Sequence, residues 1–217
     1  KIKGSGKAFF ATGVSVVIHP ENPFVPSIHM NIRYLERNNQ KWFGGGIDLT
    51  PYYISKKDII NYHKKLKTIC DKYDDSFYFN FKKQCDDYFY IKHRKETRGV
   101  GGLFFDNLDG ESVQNLNFVA DIGRNFSEIF LTFFNKNNSK KFSNKEKKFQ
   151  TYRRGRYVEF NLVYDRGTLF GLETNGRIES ILMSLPPTSE WIYDWNPEIN
   201  SKESKLYEFL KPIDWIK

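Results

Sequence analysis

Cysteine is scarce in this chain: Cys70 and Cys85 are the only two among 217 residues. Two thiols cannot staple a chain of this size, so a disulfide scaffold is excluded and a reducing compartment is expected. Long apolar runs are missing as well. The longest, Phe9 to Ile18, carries Thr12 and Ser15 and falls far short of the roughly 20 residues that span a bilayer. No charged-then-apolar leader of secretory type is visible, so the expected location is the cytoplasm. Nucleotide loops are absent too. Gly44-Gly-Gly46 runs into Ile47-Asp48 rather than Lys-Ser or Lys-Thr, and Gly99 to Gly102 lacks dinucleotide spacing. Neither Gly-x-Ser-x-Gly nor His-Glu-x-x-His occurs. Aromatic residues are abundant instead, with 20 Phe, 13 Tyr and 4 Trp. They can fill a large core, which argues against a disordered or fibrous protein. The sequence opens on Lys1 rather than Met and reads as the inside of a longer natural chain.

The net charge of +8 is unevenly placed. Lys136, Lys140, Lys141, Lys145, Lys147, Lys148, Arg153 and Arg154 face one acid, Glu146, a local +7 that leaves about +1 elsewhere. A uniformly basic nucleic-acid-binding body is therefore excluded. The basic segment itself reads as a solvated connection, with attraction of an anionic ligand and nucleic-acid binding as the alternatives.

Periodicity places strands at Thr12 to His19 and Ser27 to Glu36, separated by the three-proline loop His19 to Pro26. Helices are expected over Asp58 to Tyr73 with Ser55 as N-cap, over Phe79 to Lys95, over Ser112 to Phe134, and up to Arg154. Leu103 to Phe105 reads as a short strand. Tyr157 to Tyr164 and Thr168 to Glu173 read as a hairpin across Asp165-Arg-Gly167. Ile178 to Leu185 and Ser201 to Leu210 close the chain as helices. Strands early and past the middle, with helices between, predict an α+β fold: a large, mainly antiparallel sheet flanked by helices in a single domain.

The second strand is the informative one. Ile28, Met30, Ile32 and Tyr34 alternate with His29, Asn31 and Arg33. Same-face neighbours lie about 7 Å apart, and a buried face of that polarity requires a polar cavity beside it. Asp48, after three glycines, reads either as a turn residue or as a carboxylate offered to ligand N–H groups. Arg33 and Arg177 can clamp carboxylates with their planar forks. The four histidines, His19, His29, His63 and His93, are too widely spaced to announce a metal site. The residues alone thus give a cavity bordered by histidine, arginines and an aspartate, suited to an anionic ligand.

Several longer stretches carry a resemblance. Gly13-Val-Ser-Val-Val-Ile-His-Pro20, His29-Met-Asn-Ile-Arg33, Trp42-Phe-Gly-Gly-Gly-Ile-Asp-Leu-Thr-Pro51, Lys92-His-Arg94, Gly101-Gly-Leu-Phe-Phe-Asp106, Tyr152 to Thr168 and Glu179-Ser-Ile-Leu-Met-Ser-Leu-Pro-Pro187 resemble oxygen-dependent coproporphyrinogen III oxidase. The resemblance runs in order along the whole of 1–217 and implies one oxidase domain, without the N-terminal segment usual in that family. It implies oxidative decarboxylation of two propionates of coproporphyrinogen III to vinyl groups, giving protoporphyrinogen IX in heme biosynthesis, with O2 as oxidant. It also implies a homodimer with its interface near 157–192, no nucleic acid and no membrane span. Carried over by position, His29 matches the family's proton donor, and Asp48 the carboxylate that engages pyrrole N–H groups. Ser15, Asn31, Ile32, Arg33, Asn175, Gly176 and Arg177 match substrate-contacting positions, with Asn175 standing where a second small residue is usual. Bacterial members have been assigned a divalent metal at positions matching His19, His29, His63 and His93, although the reaction is regarded as needing no metal or organic cofactor. Rival readings are a tetrapyrrole carrier without chemistry and a metal-dependent enzyme.

Overall fold

A computed structural model of the chain describes residues 8–174 and 176–217. Four strands form an antiparallel sheet in the order β1-β2-β3-β6. They are β1 (Phe10–Ile18), β2 (Ser27–Arg37), β3 (Gln40–Thr50) and β6 (Gly102–Asp109). A small second hairpin pairs β4 (Tyr90–Ile91) with β5 (Glu96–Thr97). Among the described residues there are seven helices: α1 (Lys56–Cys70), α2 (Phe77–Tyr88), α3 (Val113–Asn137), α4 (Asn144–Val163), α5 (Arg166–Glu173), α6 (Ile178–Leu182) and α7 (Lys202–Tyr207). The expected α+β architecture with an antiparallel sheet is present.

The alternation of β2 divides the sheet into two faces. Ile28, Met30, Ile47, Leu49, Leu103 and Phe105 turn one way and bury against α1 and α3. Those helices supply the matching apolar stripes: Ile59, Tyr62, Leu66 and Ile69 from α1; Phe118, Val119, Ile122, Phe126, Ile129 and Phe133 from α3. The spacing of three or four residues keeps each set on one helical face. Ser55 and Ser112 cap these helices by accepting the backbone N–H of Asp58 and Asn115. Burying each large apolar side chain contributes about 1.5–3 kcal/mol, so this layer carries most of the stability.

Two elements differ from expectation. The second helix stops at Tyr88 and the chain turns into the β4–β5 hairpin rather than running on to Lys95. Lys95 takes φ 55°, a conformation that no helix accommodates. The expected hairpin over Tyr157 to Glu173 is instead the end of α4 followed by α5. Val158, Phe160 and Leu162 alternate as in a strand, yet Phe149, Tyr152, Tyr157 and Phe160 are buried at helical spacing while Leu162 is exposed. Tertiary packing of that longer stripe decides the local choice. Asp165, expected in the turn, caps α5 by accepting from the Thr168 N–H. Finally, Asp48, for which a turn was one of two readings, lies with Gly44 to Gly46 inside β3.

Both cysteines are free and buried. No helix among the described residues is long and apolar enough to cross a membrane.

Candidate active site

The second face of the sheet is polar, and its register brings the sequence candidates into three adjacent rows. One row runs Val17–His29–Asp48–Gly102, the next Ser15–Asn31–Gly46–Phe104, and the third Gly13–Arg33–Gly44. Antiparallel partners share a face. His29 and Arg33 are therefore separated along the face by four residues, about 13 Å. The side chains between are small or absent at Gly13, Ser15, Gly44 and Gly46, which leaves a shallow floor between a histidine–carboxylate end and an arginine end. Ile32 does not belong to this set; its side chain packs into the apolar core on the opposite face.

At the first end, Asp48 is buried to 3% exposure. Its carboxylate accepts from the His29 ring at Nδ1 (2.9 Å) and from Arg98 Nη2 through both oxygens (2.8 and 2.7 Å). Burial alone would raise the Asp48 pKa. The Arg98 charge and the His29 hydrogen bond outweigh burial and hold the carboxyl below the usual carboxylate range. An ionised Asp48 can only accept, so His29 carries its proton on Nδ1 in the neutral ring. Among the described residues Nε2 makes no hydrogen bond, and the side chain is 21% exposed. The dyad thus presents one imidazole nitrogen of fixed tautomer to the open face.

Arg98 is the principal residue that sequence reasoning missed. Its guanidinium is fully buried, donates to Asn161 Oδ1 at 2.8 Å through Nη1, and lies over the rings of Phe89 (4.1 Å), Tyr157 (4.4 Å) and Phe160 (4.9 Å). Tyr157, Phe160 and Asn161 come from α4, which closes this end of the polar face. The signal available was a lone arginine in Thr97-Arg98-Gly-Val-Gly-Gly102, where Gly99 to Gly102 was weighed as a nucleotide loop. A charge set among glycines and apolar residues is forced to find a buried counter-ion.

At the other end, Arg33 Nη1 donates to Asn31 Oδ1 (3.2 Å), and Arg33 Nη2 stands 3.8 Å from Asp106. Gly44 makes this possible: a Cβ there would lie 2.8 Å from Asp106 and 3.0 Å from Arg33. The β3–β6 ladder slips between Phe43 and Gly45, with Asn107 at φ 62°, and so turns Asp106 toward that gap. Arg166 of α5 approaches Asp106 from the other side at 3.9 Å and stacks over Tyr88. One acid between half-buried Arg33 and exposed Arg166 leaves surplus positive charge at this end. Arg177, exposed at the start of α6, has no ion-pair partner among the described residues. Gly176 is half-buried and packs on Gly171. Asn175 lies outside the described residues.

The four histidines expected as metal ligands are not gathered into one site. His19 bridges Ser27 Oγ and the Ser184 carbonyl, both at 3.0 Å. Burial, partly offset by the Ser184 bond, pushes its pKa down to about 4. His63 lies on the other side of the sheet in the apolar core. His93 sits at the surface with Tyr164 and Glu159. Among the described residues no three His, Cys, Asp or Glu side chains converge as a metal cluster.

Comparison with known proteins supplies the family. A family profile described as coproporphyrinogen III oxidase matches residues 1–215. This chain belongs to the coproporphyrinogen III oxidase family. The oxygen-dependent coproporphyrinogen-III oxidase of Francisella philomiragia subsp. philomiragia is 54% identical over 98% of this chain and 71% of its own length. The protein of that name from Francisella tularensis subsp. novicida is 53% identical over the same shares. Both ends of the polar face thus lie in a chain of a decarboxylating oxidase family.

Proposed function

We propose that this chain acts as an oxygen-dependent coproporphyrinogen III oxidase of heme biosynthesis and that the polar sheet face is its active site. The observation that carries the site is the row His29–Asp48 on one strand pair, backed by buried Arg98 and facing a cationic end at Arg33 and Arg166. Coproporphyrinogen III carries four propionates and is a tetra-anion at neutral pH. Arg33, Arg166 and Arg177 favour an orientation in which propionates meet guanidinium groups. The long contacts to Asp106 (3.8 and 3.9 Å) are weak enough to yield to an incoming carboxylate.

For each propionate the chemistry is a two-electron oxidation. The electron-rich pyrrole adds to O2, giving a peroxy adduct. The side chain loses one hydrogen from the carbon next to the ring and CO2 from its end, the electron pair of the broken C–C bond becomes part of the vinyl double bond, and dioxygen leaves as hydrogen peroxide. The balance requires one proton: His29 Nε2 takes it up from solvent, Asp48 stabilises the resulting imidazolium through Nδ1–H, and Nε2 then delivers it to the departing peroxide. The substrate supplies the electrons, so the mechanism routes no step through a redox cofactor. Asp48 does not need to touch the pyrrole N–H groups in this reading. Its oxygens are engaged by Arg98 and His29, and it fixes the tautomer and stabilises the protonated ring.

Aerobic incubation with coproporphyrinogen III, before and after chelation, tests the reading. We expect vinyl product in both and at least a 10²-fold lower kcat in Asp48→Asn with the fold retained. Normal turnover by that variant would move the chemistry elsewhere, and activity lost on chelation and restored by metal would favour the metal-dependent reading. Exposed Ile178, Met183, Trp191 and Tyr193 support a homodimer contact near 157–192; sedimentation of Met183→Asp would then report monomers. A cytoplasmic location and a single oxidase domain over 1–217 complete the proposal.

A further inference from the structure

We infer that His63 is a positioning residue for the buried Arg98–Asp48 pair and holds no metal. It rests on the reading of His29–Asp48 as the reacting centre. His63 is fully buried on α1 and uses both ring nitrogens. Nε2 lies 3.0 Å from the Val100 carbonyl, which can only accept, so Nε2 carries the proton. Nδ1, 2.9 Å from the Tyr78 hydroxyl, must then be the acceptor. No lone pair is left for a cation. The ring is also enclosed, stacked on Trp215 at 6.0 Å and met edge-on by Tyr62 and Tyr78.

Val100 belongs to the short connection that delivers Arg98. Its N–H donates to the Leu49 carbonyl (3.0 Å), and the Leu49 N–H donates to Gly101 (3.1 Å), so this connection lies against β3 beside Asp48. Upstream, Arg98 N–H donates to Phe89 and Thr97 N–H to Leu210. Glycines flank Val100 on both sides, and Gly101 takes φ 82°. A segment so rich in glycine has little stiffness of its own. The hydrogen bond from His63 reaches it from the core side, two residues from the guanidinium. The path runs Tyr78, His63, the Val100 carbonyl, Arg98, Asp48, His29. The core face of the sheet thereby sets the geometry of the polar face.

Two amides of different reach separate this role from others. Gln at 63 carries its N–H₂ near the place of Nε2 and can donate to Val100; Asn is one methylene shorter and cannot. We expect His63→Gln to keep kcat within about threefold of wild type, and His63→Asn to lose on the order of 10- to 100-fold in kcat with KM little changed, the range for partners that orient a reacting group. The acid limb of the kcat profile should move up in His63→Asn, because a misplaced Arg98 no longer holds the Asp48 carboxyl down. Equal activity in the two variants, or an unshifted acid limb in a folded but slow His63→Asn, overturns the inference. So does metal found in wild type and lost in both, or a failure of both to fold. Asp48→Asn is measured alongside: if it is fully active, the site reading itself has failed, whereas an inactive Asp48→Asn beside a normal His63→Asn rejects only the role of His63.

Discussion

The two faces of the sheet are built from the same strands and work in opposite ways. On the core face Ile28, Met30, Ile47 and Leu103 are interchangeable in kind: they are apolar, closely packed and held by area removed from water. On the polar face the charged side chains are bound to named partners. Asp48 has Arg98 and His29, and Arg33 has Asn31 and Asp106. The difference teaches that stability here is spread over many side chains, whereas reactivity depends on a few directed contacts placed against that stable layer.

The severest test of the contrast is Arg98→Ala. It leaves a buried carboxylate without its cation, which destabilises proteins by about 3–5 kcal/mol. Urea unfolding should report that loss, and turnover of the remaining folded protein should also collapse. If stability falls while turnover per folded molecule holds, Arg98 belongs to the frame rather than the site. Next comes Ile47→Ala on the opposite face, expected to lose about 2–5 kcal/mol through the cavity it opens while kcat stays near wild type below the melting temperature. A matching loss of kcat would mean that coupling between the faces is not confined to the His63–Val100 bond. Arg33→Ala should leave stability within about 0.5 kcal/mol, because its partners are half exposed, yet raise KM and lower kcat together by on the order of tenfold. Unchanged kinetics would remove Arg33 from the site.

The remaining effect is one of pH. His19 has a folded pKa near 4, below its ordinary 6.5. The unfolded chain therefore takes up this proton first as pH falls. Stability is unaffected above about 6.5, declines by about 1 kcal/mol per pH unit between 6.5 and 4, and levels off below. Replacing His19 with Gln should remove that part of the slope in urea titrations at successive pH values. An identical slope in the variant would show that His19 is not held neutral. His63, with its pKa pushed to about 3 mainly by burial, acts in the same direction.

Much of this was legible from residue order. Alternation of Ile28, Met30 and Ile32 with His29, Asn31 and Arg33 gave both the strand and its functional face, because a period of two maps directly onto a pleated sheet. Ser55 and Ser112 announced two helix starts through side-chain chemistry confined to one turn. Tyr157 to Glu173 misled because short apolar alternation also fits a helix, and only packing against Phe89 and Phe104 selects between them. Arg98 stayed hidden because its significance rests on Asp48, 50 residues away. The His63 bond to a backbone carbonyl leaves no pattern in side chains at all.

Amino-acid order by itself determined the α+β class, the strand with one reactive face, the aromatic core and the family, since each follows from local period, composition or uninterrupted motif. Tertiary structure alone decided which charges meet. Register placed His29 beside Asp48, and a glycine-flanked connection carried Arg98 to both. Such contacts join segments distant in sequence, and their strength comes from exclusion of water, which exists only once the chain has folded.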